Sequence, residues 1–166
     1  MASNKNATEV SVRITSESNL LHAPDETLVI QVARGNRVTS RLVFRFADGS
    51  VHDDTVVFSQ RQQFRLVSDH LVQKGPTFPQ PLDMRIDAAS GQVTVRYVNE
   101  HGEAKVEAEH MELPPDVANG LVLTLLKNVR PGAPATVSFV AATPKPRLVK
   151  GRSSSCISAG RNGRSN

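Results

Sequence analysis

The densest run of side chains able to do chemistry is His52-Asp53-Asp54. In a strand, successive side chains point to opposite faces, so His52 and Asp54 share one side and Asp53 takes the other. Two ligands on a face are too few for zinc, and no metal site is expected. His70 beside Asp69, His22 near Asp25, and His101 each stand alone near turns or strand ends. Nucleophilic catalysis needs a histidine in reach of a serine or cysteine and a third group to orient it. No serine lies in a Gly-x-Ser-x-Gly turn, so no catalytic residue and no cofactor are assigned. Asp83 and Asp87 are four apart on the polar face of one strand, where solvation accounts for them. Glycosidase chemistry depends on a carboxylate separation that the fold sets.

Two groups of residues are candidates for binding. Arg37, Arg41 and Arg45 project from one side of a strand and could hold an anion, a membrane surface or a partner. Charges placed this way also guard a strand against edge-to-edge association. Phe44, Phe46, Phe58 and Phe64 come from neighbouring strands and are expected to converge on the concave side of a sheet. With Leu121 and Leu125 they would line either a packed core or an apolar cavity for a lipid-like ligand.

These residues depend on a sheet to position them. From Leu28 to Glu109 apolar and polar residues alternate, as in Arg37-Val38-Thr39-Ser40-Arg41-Leu42-Val43-Phe44-Arg45-Phe46. Period two indicates antiparallel strands with one face buried. Arg34-Gly35-Asn36, Ala47-Asp48-Gly49, Ala88-Ala89-Ser90-Gly91 and Asn99-Glu100-His101-Gly102 read as turns. Three prolines between Pro76 and Pro81 make a rim loop of residues 74–81, because proline donates nothing to a ladder. Lys105-Val106-Glu107-Ala108-Glu109 is expected to be a strand with a wholly charged outer face. The spacing of Val117, Leu121, Val122, Leu125, Leu126 and Val129 after Pro114-Pro115-Asp116 predicts an amphipathic helix over about 115–129.

The fold class is therefore mainly β: a curved antiparallel meander forming an open or partial barrel, with that helix packed on it. Residues 9–150 make one domain, residues 1–8 a disordered N-terminus, and 151–166 a disordered Ser/Arg/Gly tail. With 166 residues and 39% hydrophobic content, but only six Phe and one Tyr, the core must be mostly Val and Leu. The net charge of +4 is largely a tail effect of Arg152, Arg161 and Arg164. Elsewhere acids are interspersed among the bases, which argues against a nucleic-acid partner. Cys156 has no second cysteine to pair with. No apolar stretch approaches the ~18 residues of a spanning helix. The first 15 residues carry no export signal, so the chain is periplasmic or secreted if a leader was removed and otherwise cytoplasmic. Asn6-Ala7-Thr8 matches a glycosylation sequon, a pattern common by chance.

Phe46-Ala47-Asp48-Gly49-Ser50-Val51, residues 69–76, Ile86-Asp87-Ala88-Ala89-Ser90-Gly91-Gln92-Val93 and above all Leu113-Pro114-Pro115-Asp116-Val117-Ala118-Asn119-Gly120 carry a resemblance. Over about residues 23–150 the chain resembles a group of uncharacterised bacterial β-rich proteins. These are similar in turn to an exported family classed only as a domain of unknown function. The resemblance implies a barrel-like sheet and an envelope or secreted setting, with no catalytic residues to transfer. Such proteins continue with more strands where this chain turns to Gly151, so the chain reads as truncated after Lys150 and its last strands are expected to lack partners. The function expected is that of a non-enzymatic, envelope-associated module binding a hydrophobic small molecule or an envelope protein. The alternatives are a hydrolase acting on polysaccharide or lipid at the 74–81 rim and a purely structural interaction protein.

Overall fold

The computed structural model describes residues 7–15, 24–121, 124 and 135–153. Eight strands pair antiparallel in chain order: β1 (Ala7–Thr15), β2 (Glu26–Arg34), β3 (Arg37–Arg45), β4 (Val51–Gln60), β5 (Phe64–Lys74), β6 (Leu82–Asp87), β7 (Gln92–Val98) and β8 (Ala104–His110). A hairpin of β9 (Ala135–Val140) and β10 (Leu148–Ser153) forms a second, two-stranded sheet. The first sheet is an open meander: β1 and β8 are its edges, and it does not close into a barrel.

Register fixes which side chains share a face. Val38, Ser40, Leu42 and Phe44 of β3 stand opposite Phe58, Val56, Asp54 and His52 of β4. On the same face β5 contributes Leu71 and Gln73, β6 Leu82, Met84 and Ile86, and β7 Val93, Val95 and Tyr97. Most of these apolar side chains are buried, and Met84, Val93 and Val95 are completely so. Between Val57 and Phe58 the register slips: Val57 faces Ser68, Phe58 faces Leu66, and Val67 has no partner across the ladder. This β-bulge switches the parity of β5. Phe64 and Leu66 thereby share the core face with Asp69 and Leu71, a mixture of even and odd positions that no regular strand allows.

The core face is covered by residues 111–121 and by β9. Leu71, Leu82, Met84, Ile86, Val93 and Val95 pack with Val140, Met111 and Leu113. Val38, Val56 and Phe58 pack with Ala118, Leu121, Val137 and Phe139. At β8 the core ends, because Lys105, Glu107 and Glu109 lie opposite Tyr97, Val95 and Val93. The charged side of β8 is thus on the core face of the sheet rather than its outer face, and Val106 on the reverse is 61% exposed.

Over residues 115–121 the expected amphipathic helix is not found. Residues 115–121 form turns around a β-bridge from Val117 to Ser138, and Thr124 alone among the described residues is helical. Asp116, read as part of the helix start, instead accepts the hydroxyl hydrogen bond of the fully buried Ser138 at 3.1 Å. Asn119 acts as a piece of strand: its Nδ2 donates to the Val140 carbonyl at 2.9 Å and its Oδ1 accepts the Val140 N–H at 2.8 Å. Gly120 has φ +64°, outside the helical region. Local helical spacing is overridden because β9 has backbone groups here that need partners. The rest of the expected helix, residues 122–129 apart from Thr124, lies outside the described residues.

Expectations at both ends of the chain also change. Ala7 and Thr8, assigned to a disordered terminus, begin β1. Residues 151–153, assigned to the tail, complete β10, while 154–166 lie outside the described residues. The strands near 135–150, expected to lack partners, pair with each other from Ala135↔Ser153 to Leu148↔Val140.

Candidate functional site

Two tight loops build one end of the sheet. Phe46 N–H donates to the Ser50 carbonyl at 3.0 Å, closing the β3–β4 turn, and Gly49 takes φ +83° within it. Asp48 accepts the Ser50 N–H and the Thr77 hydroxyl, each at 2.8 Å. Ser50 Oγ in turn accepts the Thr77 N–H at 2.8 Å. These bonds to the charged form hold the Asp48 carboxyl below its ordinary pKa. Gly75 lies against Ser50 so closely that a Cβ there would come within 2.6 Å of its Cα. The proline-rich 74–81 loop is thereby fastened to the β3–β4 turn.

On this frame sits an aromatic group. Phe44 lies 5.4 Å from the His52 ring, His52 6.4 Å from Phe78, and Phe78 meets Phe46 edge-on at 5.7 Å. All four rings are partly exposed. Burial, outweighing the nearby Asp54 and Asp53 charges, lowers the His52 pKa and favours the neutral ring. Gln73 Nε2 donates to His52 Nδ1 at 3.0 Å, which leaves the ring proton on Nε2.

Inward from the rim the same face carries a buried acid pair. Asp54 follows His52 by two residues on β4, and Asp69 stands opposite Val56, diagonal to Asp54. Their exposures are 9% and 3%. Burial raises the Asp69 pKa well above the ordinary value, and the Asp54 charge and the hydrogen bond between the two carboxyls push it the same way. Burial also raises Asp54, against the opposing pull of that hydrogen bond and of His52. The pair therefore holds a proton to higher pH than free carboxyls do. One oxygen of each, Oδ1, has no hydrogen-bond partner among the described residues, and a Cβ at Gly120 would lie 2.9 Å from that of Asp69.

The four phenylalanines share a face but not a place. Phe58 and Phe64 pack edge-on at 5.7 Å beneath Leu121, in the core. Phe44 and Phe46 lie at the other end, six residues from Phe58 along β4 and so about 20 Å away. Leu125 lies outside the described residues. Arg37, Arg41 and Arg45 do share the opposite face and are exposed. Arg41 donates from Nε and Nη2 to the two Asp53 oxygens at 2.9 and 2.5 Å, and Arg45 lies 3.6 Å from Glu26. Cross-strand acids thus balance two of the three charges.

Among the described residues no group of three or more His, Cys, Asp or Glu side chains is arranged to hold a metal, and no helix is long and apolar enough to cross a membrane. Sequence reasoning passed over Phe78 and the Asp54–Asp69 pair. The signal for the pair was available: Phe64 and Leu66 are followed by Leu71, an odd apolar spacing that marks a bulge and brings Asp69 to the core side. Comparison of the chain with protein-family models, curated proteins and solved structures found no match.

Proposed function

We propose that this chain is a non-enzymatic, envelope-associated binding module that takes a hydrophobic ligand, or an apolar group of a protein partner, on the rim formed by Phe44, Phe46, His52 and Phe78. The observation that carries the reading is this partly exposed aromatic group on a frame already hydrogen-bonded through Asp48, Ser50 and Thr77. Aromatic rings offer large contact area, and a pre-ordered frame lowers the entropy lost on binding. The envelope setting rests on the resemblance of the Leu-Pro-Pro-Asp region and its neighbouring segments. Hydrolysis at the same rim is less well supported, since Asp69 is 3% exposed and lies under Gly120, out of a substrate's reach. Mass spectrometry of small molecules that co-purify with the chain tests the proposal. An apolar compound retained by the native chain and lost from the Phe44→Ser/Phe78→Ser variant is expected; equal retention by both, or none by either, would sink it.

A further inference from the structure

A second cleft opens on the same face of the sheet, three strands from His52. Register places His52, Gln73, Leu82 and Tyr97 in one row across β4 to β7. Where the row reaches Tyr97, the loop between β9 and β10 comes over it and leaves an open cleft of about 510 Å³, lined by Tyr97, Thr143, Pro144, Lys145, Pro146 and Arg147. That volume lies within the ~300–1,000 Å³ range of small-molecule sites.

The loop is stiff. Ala141 N–H donates to the Arg147 carbonyl at 2.9 Å, Thr143 N–H to the Ala141 carbonyl at 2.9 Å, and Thr143 Oγ1 to the Lys145 carbonyl at 2.7 Å. Pro144 and Pro146 fix two further φ angles, and Pro146 is buried.

The charges lining the cleft have one sign. Lys105, opposite Tyr97 on β8, is engaged by Glu103 at 2.8 Å. Lys145 and Arg147 have no acidic partner among the described residues, and no carboxylate lines the cleft. The phenol of Tyr97 is likewise without a hydrogen-bond partner among them. Two cations and one hydroxyl donor thus face a cavity whose walls are a tyrosine ring and two proline rings.

From this arrangement we infer that the cleft between Tyr97 and the 143–147 loop binds an organic anion with an apolar body. Its carboxylate or phosphate would be held by Lys145, Arg147 and the Tyr97 hydroxyl, and its body by the tyrosine and proline rings. Arginine suits the anionic group through its planar fork of donors, and the ring faces suit a flat or acyl body. The site is separate from the aromatic rim and does not depend on it.

Isothermal titration of the full chain with 1-naphthoate tests the inference, with 1-naphthamide as the neutral control. Naphthoate is expected to bind at least tenfold more tightly than naphthamide. The Lys145→Gln/Arg147→Gln variant should lose at least tenfold in naphthoate affinity, and Tyr97→Phe severalfold. Both residues of the double variant are exposed, and an unchanged circular dichroism spectrum and thermal midpoint would verify its fold. Phe44→Ser/Phe78→Ser should bind naphthoate as the native chain does, which separates this site from the rim. Absence of binding, equal affinity for acid and amide, or undiminished binding by the Lys145→Gln/Arg147→Gln variant would overturn the inference. Dodecyl phosphate and dodecanoate, compared in the same format, distinguish a phosphate from a carboxylate headgroup.

Discussion

Two pairs of phenylalanines stand on one face of this sheet and have opposite fates. Phe58 is sealed beneath Ala118 and Leu121, with the half-buried Phe64 packed edge-on against it, whereas Phe44 and Phe46 remain at a partly open rim with His52 and Phe78. Alternation assigns both pairs to the same side, so what separates them is what lies above. Along β4 the boundary falls at Asp54, which with Asp69 makes a buried polar step between the open end and the core. A face shared in register is therefore not a site; cover and solvation decide which part of it is free to bind.

The largest effect should come from cutting into the covered pair. Phe58→Ala is expected to cost about 3–5 kcal/mol in urea unfolding, and Phe44→Ala about 1 kcal/mol, because truncating a fully buried ring also leaves a cavity. Similar losses at both positions would erase the distinction between core and rim. Next in size is Gly120→Ala, at about 2–4 kcal/mol. The new methyl would meet Val56 Cβ at 2.7 Å while φ stays at +64°, so overpacking adds to backbone strain. An unchanged unfolding midpoint would mean that the 117–121 cover is not seated on the sheet.

The acid pair gives a smaller effect of opposite sign. Folding raises the Asp69 pKa above its ordinary value near 3.8, so between those two values the folded chain holds more protons than the unfolded one. Stability is then fully present below the unfolded value and falls as pH climbs through the folded pKa. Asp69→Asn removes the charge that must be suppressed, and should flatten this decline and add about 1–2 kcal/mol at neutral pH. Denaturant midpoints measured from pH 4 to pH 8 would check it; a native profile that rises over that range would refute the assignment. Smallest of all, Arg41→Gln should change stability by less than about 1 kcal/mol, since its pair with Asp53 is solvent-exposed, and added salt should shrink the difference further.

Much of the sheet is legible in the sequence because its cause is local. Alternation sends a side chain to one face or the other, and the Arg-Gly-Asn and Asp-Gly turns join the strands as expected. The separation of Arg37, Arg41 and Arg45 from Phe44 follows from period two alone, as does the pairing of His52 with Asp54 on one side. The chain between Leu113 and Leu121 reads less well. Its apolar spacing fits a helix, but Asn119 and Asp116 are drawn into hydrogen bonds with β9, more than 15 residues away in the chain, and that demand is invisible to a local pattern.

By its own order of residues, then, the sequence determined a meander of antiparallel strands and, along β3 and β4, the face each side chain takes. Only the tertiary structure decided that a bulge at Val67 would carry Asp69 beside Asp54, that the 111–121 segment would cover Phe58 but not Phe44, and that Lys145 and Arg147 would meet Tyr97. The physical reason is range. Strand faces follow from the geometry of neighbouring residues, while cover, burial and the charge lining a cleft arise from segments brought together across the chain.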